Sequence, residues 1–287
     1  MAASSADSIP AIAEGEASGD IAALYEDLRV TLGVPFVNLI WRHLATIPGG
    51  LASVWTLVKP LYVSGELDRI SAETSALVSL PSLAPLPESV WECAAIDRDA
   101  RKAITAMIES YNHANGVNFL ALLVALSVLR DGFAADGNPA EMSTNRSRAS
   151  TLALPPLPAL SDLPPHVLAL VRRLDLFGRL GSNDAIASLY RHLAHWPAFL
   201  SIACVALEPL HRNGELARAQ ARVIAFGRRQ SAGVANLVNP DCPALAPDSK
   251  DAVLRALDEF TRLMIGRMIV MGKAMNLLMS DPSTRSG

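Results

Sequence analysis

Asparagine stands at positions 112, 115 and 118, at the edge of the most apolar run of the chain, residues 117–129. Three-residue spacing places such residues along one side of a helix. Asparagine is a poor helix former and is costly when buried without partners. Three in seven residues therefore predict a polar lining, hydrogen bonds between packed helices, or a break of the helix at Gly116. Asn115 is the candidate for orienting a water molecule or binding a carboxylate. Asp184 closes the stretch Gly181-Ser182-Asn183-Asp184, just ahead of an apolar segment, and is the candidate general base. A carboxylate against an apolar wall has a raised pKa and can take a proton from water near neutral pH. The competing reading is a helix N-cap, whose bonds from first-turn N–H groups would lower that pKa.

Other chemistry-bearing residues are weaker candidates. His192 and His195 share a helical face, but zinc needs three or four ligands, and the equivalent of His195 near His43 is Thr46. Arg42 and Arg191 recur in matching contexts. They read as structural groups, with a carboxylate-binding fork as the alternative. The four tryptophans, Trp41, Trp55, Trp91 and Trp196, read as core anchors; Trp41 is also a candidate to donate its indole N–H to a halide or carboxylate. Cys93, Cys204 and Cys242 form no C-x-x-C pair, which disfavours thiol redox chemistry. No phosphate-binding glycine loop and no serine elbow is present. No metal and no cofactor is expected.

The elements that must position these groups are helices. Ala and Leu dominate a chain of 287 residues that is 51% hydrophobic and only 5% aromatic, and both are strong helix formers. The spacing predicts helices near residues 20–32, 51–64, 67–78, 98–129, 165–176 and 249–279, with Pro48 and Pro197 as stops and Gly65 as a C-cap. Arg42-His43-Leu44-Ala45 recurs as Arg191-His192-Leu193-Ala194, and at the same offset Pro60-Leu61 meets Pro209-Leu210 and Gly65-Glu66-Leu67 meets Gly214-Glu215-Leu216. The sequence thus predicts an all-α fold of two tandem pseudo-symmetric repeats: 1–135, a linker rich in Asn, Ser and Pro at 136–156, and 157–287. A cleft between them is the default ligand site.

The net charge of −3, with both signs interspersed, argues against a nucleic-acid partner. The 13-residue apolar run is shorter than the roughly 20 residues of a membrane span. With no signal peptide apparent, a cytoplasmic protein with no membrane partner is expected, and a homodimer is compatible with it.

Ala-Leu-Tyr-Glu-Asp-Leu-Arg (23–29), Val-Pro-Phe-Val (34–37), Leu-Ala-Thr-Ile-Pro-Gly (44–49), Tyr-Asn-His-Ala-Asn (111–115) and Trp196-Pro197 resemble the group I 2-haloacid dehalogenases. The resemblance covers most of the chain. It implies an all-helical pseudo-dimer distantly akin to the alkylhydroperoxidase D fold. The implied reaction is hydrolysis of a small 2-halocarboxylic acid, with inversion and without a covalent enzyme intermediate. It further implies a water-positioning asparagine, which falls on Asn115, and pocket positions at Phe36, Leu39 and Phe260. The family's Ser-Asp pair falls on Ser188 and Leu189, so the activating aspartate is replaced by leucine. That leaves Asp184, about one helical turn away, as the substitute base. The alternative is a diverged member that binds a small carboxylate or runs another reaction.

Overall fold

The computed structural model describes residues 9–132, 154–181 and 185–280. Among the described residues there is no strand. Twelve α-helices are present: α1 Gly19–Leu32, α2 Leu39–Leu44, α3 Gly50–Ser64, α4 Glu66–Ala76, α5 Glu88–Cys93, α6 Arg98–Asp131, α7 Pro165–Leu176, α8 Ser188–Leu193, α9 Pro197–Arg212, α10 Glu215–Val234, α11 Pro247–Glu259 and α12 Gly266–Met279. The fold is all-α.

Helix α6 is the axis of the molecule. Its 34 residues span about 50 Å at 1.5 Å per residue. Asp97 starts it by accepting a hydrogen bond from the Ala100 N–H at 2.8 Å, which satisfies one of the donors a helix leaves open in its first turn. From Ala114 to Leu126 it is buried all round, because α3, α4, α10, α11 and α12 pack along it. By length and composition α6 is the one described helix able to cross a membrane, but 78% of its apolar window is buried inside the protein. Gly116 does not interrupt it. A Cβ there would sit 1.9 Å from Ser71 Oγ, so the glycine lets α4 lie against α6.

The short helices α2 and α8 carry the two Arg-His-Leu-Ala motifs. Polar residues in and beside them pin the extended segments around Pro10 and Pro156. His43 Nδ1 meets the Pro10 carbonyl at 2.7 Å, and His195 Nε2 meets that of Pro156 at 2.9 Å. Arg191 donates through Nε and Nη2 to the Pro158 carbonyl at 3.0 and 2.8 Å. Gly65 caps α3 with φ 81°, a left-handed conformation that costs a glycine little. Pro197 departs from its expected role: it opens α9 at the first helical position, where the missing N–H has no partner to lose. Pro60 lies within α3 without ending it.

Helices α11 and α12 are joined through a π-helical segment, Phe260–Ile265. A π turn is rare and widens the helix locally. The buried Gln220 side chain donates to the Arg262 carbonyl at 3.2 Å. Most of the expected linker, 136–153, lies outside the described residues.

Candidate active site

A cavity of about 990 Å³ lies where α2, α6, α8 and the π segment converge, under the segments around Pro10 and Pro156. Phe36, Leu39, Asn115, Ser188, Leu189 and Phe260 all line it, together with Tyr111, His192, Arg42 and Arg191. Helix α6 contributes Tyr111, Asn115 and Asn118 because residues three and four apart share a helical face. Helix α8 contributes Ser188, Leu189, Arg191 and His192, while Met264, Ile265 and Met268 join Phe260 from the C-terminal rod.

The three asparagines have separate fates. Asn118 is fully buried and makes three hydrogen bonds: its Oδ1 accepts from Trp41 Nε1 at 3.1 Å and from Tyr62 Oη at 2.6 Å, and its Nδ2 donates to Asn38 Oδ1 at 3.0 Å. Asn112 packs on α12, where a Cβ on Gly272 would meet its Oδ1 at 1.8 Å. Asn115 is buried in the cavity wall, and its amide makes no hydrogen bond to the described residues. Its donors and acceptor are therefore available to water or to a ligand.

Trp41 corrects an expectation. Its ring is 0% exposed, it is not part of the cavity wall, and its one N–H is committed to Asn118. It has no donor left for a halide or carboxylate, and it serves as a core anchor edge-on to Trp55 at 5.6 Å. Phe36 stacks on Tyr111 at 4.5 Å, and Phe260 stacks on His43 at 5.8 Å. Asp184 lies outside the described residues.

A polar pair lies in the wall beside Asn115. The Tyr111 hydroxyl and His192 Nδ1 are 2.7 Å apart, with Ser188 on the same cavity wall. A neutral ring protonated on Nε2 accepts from the tyrosine at Nδ1. Burial brings the His192 pKa down to about 4, with His195, Arg191 and Arg42 adding to the effect. The ring is therefore neutral at pH 7. Burial also raises the Tyr111 pKa, against the opposing pull of Arg42 and Arg191, so the hydroxyl stays protonated and can donate. The i, i+3 pairing of His192 with His195 in the sequence hid this arrangement, because the partner of His192 is 81 residues away. No group of three or more metal-ligating side chains exists among the described residues.

No protein-family model matches the chain. It is 26% identical over 237 residues to a configuration-inverting 2-haloacid dehalogenase of Alcaligenes xylosoxydans xylosoxydans, covering 78% of this chain and 79% of that one. The chain is thus similar in sequence to a 2-haloacid dehalogenase. Solved structures agree on the fold. A D-2-haloacid dehalogenase mutant in complex with D-2-CPA superposes with a TM-score of 0.72 at 17% identity, over 94% of this chain and 96% of that one. A D-2-haloacid dehalogenase with L-LA gives 0.68 at 18% identity, with the same coverage. In this chain, Leu189 lies in the cavity wall beside Ser188, where it adds apolar surface and no proton acceptor.

Proposed function

We propose that this chain hydrolyses small 2-halocarboxylic acids to 2-hydroxy acids. The observation that carries the reading is the Asn115 amide, buried in a mostly apolar cavity and without a hydrogen-bond partner among the described residues, in a chain similar to a protein named a configuration-inverting 2-haloacid dehalogenase. Asn115 would hold a water molecule behind the carbon that bears the halogen. The water oxygen forms the new C–O bond, the C–halogen bond breaks, and the halide leaves with the bonding pair from the opposite face. The water proton goes to a base, and Asp184 is proposed for that role. Positioning contributes much of the rate, about 7–11 kcal/mol in favourable cases. Phe36, Leu39, Leu189 and Phe260 would form the apolar wall around the substrate.

A second route for the proton has its own observation. The Tyr111–His192 pair, 2.7 Å apart, ends on a neutral imidazole whose pKa of about 4 is close to that of an ordinary carboxylate. A water hydrogen-bonded to the Tyr111 hydroxyl would lose its proton through that hydroxyl to His192 Nδ1.

The test is chloride release from D- and L-2-chloropropanoate, measured separately, for the wild type and for Asn115→Ala, Asp184→Asn and His192→Gln. Asn115→Ala is expected to abolish release. Loss in Asp184→Asn with release kept in His192→Gln assigns the proton to Asp184, and the reverse assigns it to the Tyr111–His192 pair. Absence of release by the folded wild type from these and bulkier 2-halo acids sinks the proposed reaction.

A further inference from the structure

Arg42 and Arg191 occupy the same place in the two Arg-His-Leu-Ala helices, and both are buried in the wall of one cavity. They are treated differently by their surroundings. Arg191 is tied to the Pro158 carbonyl by two donors. Arg42 is only 7% exposed, yet its guanidinium makes no hydrogen bond to the described residues, and its Nε is wholly buried without a partner. The acids on the same wall are engaged elsewhere: Glu14 accepts from Arg29 at 2.8 Å and from the Val37 N–H at 2.9 Å, and Glu16 from the Ala13 N–H at 3.2 Å. Arg42 shares the cavity wall with Tyr111 and His192, and its charge acts on both.

A guanidinium with its Nε buried and unmatched, and its other donors bonded to no described residue, is costly. It persists where something outside the chain completes it. A planar anion with two oxygens matches the fork in a bidentate pair. We propose that Arg42 is the anion anchor of the cavity and takes the carboxylate of the ligand, and that Arg191 is its structural counterpart. The choice of a carboxylate over another planar anion rests on the haloacid reading. The charge, the burial and the missing partner stand without it.

An anchor and a structural arginine respond oppositely to removal. Arg42→Met takes away a buried charge that nothing in the free protein pairs, so the ligand-free melting temperature should stay the same or rise. Arg191→Met strips two donors from a carbonyl they satisfy, so its melting temperature should fall.

The experiment measures melting temperature and affinity with probes that do not react: propanoate, lactate and the neutral amide propanamide. The wild type should be stabilised by propanoate or lactate and much less by the amide. Arg42→Met should lose affinity for the two anions by roughly 10- to 100-fold, the range for hydrogen bonds to a charged group, with amide binding unchanged. Arg42→Lys keeps the charge without the fork and should fall between, which also covers the case of a Met variant that does not fold. Unchanged anion affinity in both Arg42 variants overturns the proposal. So does a drop in ligand-free melting temperature as large as that of Arg191→Met, with anion affinity kept. If no halo acid is turned over but anion stabilisation still vanishes with Arg42, the anchor stands and the proposed reaction falls.

Discussion

Asn118 offers the sharpest test of how the cavity floor is held. Its Oδ1 is the sole acceptor shown for two buried donors, the Trp41 indole N–H and the Tyr62 hydroxyl. Asn118→Ala strands both. Each buried unsatisfied donor costs about 1–3 kcal/mol, so the expected loss is about 2–6 kcal/mol. The third bond, to the Asn38 side chain, adds little, because Asn38 borders the cavity and water can replace the lost partner. A double-mutant cycle with Tyr62→Phe gives a sign change that simple packing loss does not. In the wild-type background, deleting the hydroxyl should destabilise by about 0.5–1.5 kcal/mol. In the Asn118→Ala background it removes a stranded donor and should restore about 1–3 kcal/mol. Urea unfolding of the four proteins, followed by circular dichroism, measures all the terms. Asn115→Ala, three residues along the same helix, should remain within about 1 kcal/mol of wild type because no protein bond is lost. A loss below about 1 kcal/mol for Asn118→Ala, or additive effects in the cycle, would refute the reasoning.

Two further predictions concern buried charge. Asp175 is buried and holds the equally buried Arg267 at 2.9 Å, with Arg179 as its second partner. Asp175→Ala leaves Arg267 unpaired and should cost about 3–5 kcal/mol, while Asp175→Ala with Arg267→Met should recover most of it in the same urea assay. His192 has a folded pKa of about 4, below the ordinary 6.5 of the unfolded chain. Between those values the unfolded state binds more protons, so stability falls as pH drops through this window, by at most about 3 kcal/mol, and the loss saturates near pH 4. His192→Gln should remove that part of the pH dependence. Equal pH profiles for wild type and variant would contradict the neutral buried imidazole.

The helical frame was legible because local chemistry sets it. The helix Pro165–Leu176 starts where a proline fits the first turn, and α3 ends at Gly65 where the backbone turns left-handed. Pro197 was misread because proline is equally at home just after one helix and at the start of the next. The site was only half legible. Asn112, Asn115 and Asn118 look alike along the chain, and what separates Asn118 is Asn38, Trp41 and Tyr62, which lie 80, 77 and 56 residues away. His192 was paired with its neighbour His195, although its hydrogen-bond partner is Tyr111. Arg42 looked structural because its motif recurs. Recurrence in sequence carries no information on which copy has lost its acceptor.

The π segment has a consequence for how the cavity can change. A π turn is one residue of slack inside a helix that is otherwise in α register. Deleting the exposed Arg262 would let the segment tighten to an α turn while α11 and α12 keep the faces they already pack. Only the end wall formed by Phe260, Met264 and Ile265 would be redrawn. The size of the chamber is thus adjustable by chain length as well as by side-chain volume. Single-residue insertions and deletions in Phe260–Ile265 are expected to retain the melting temperature while shifting the preferred acid chain length.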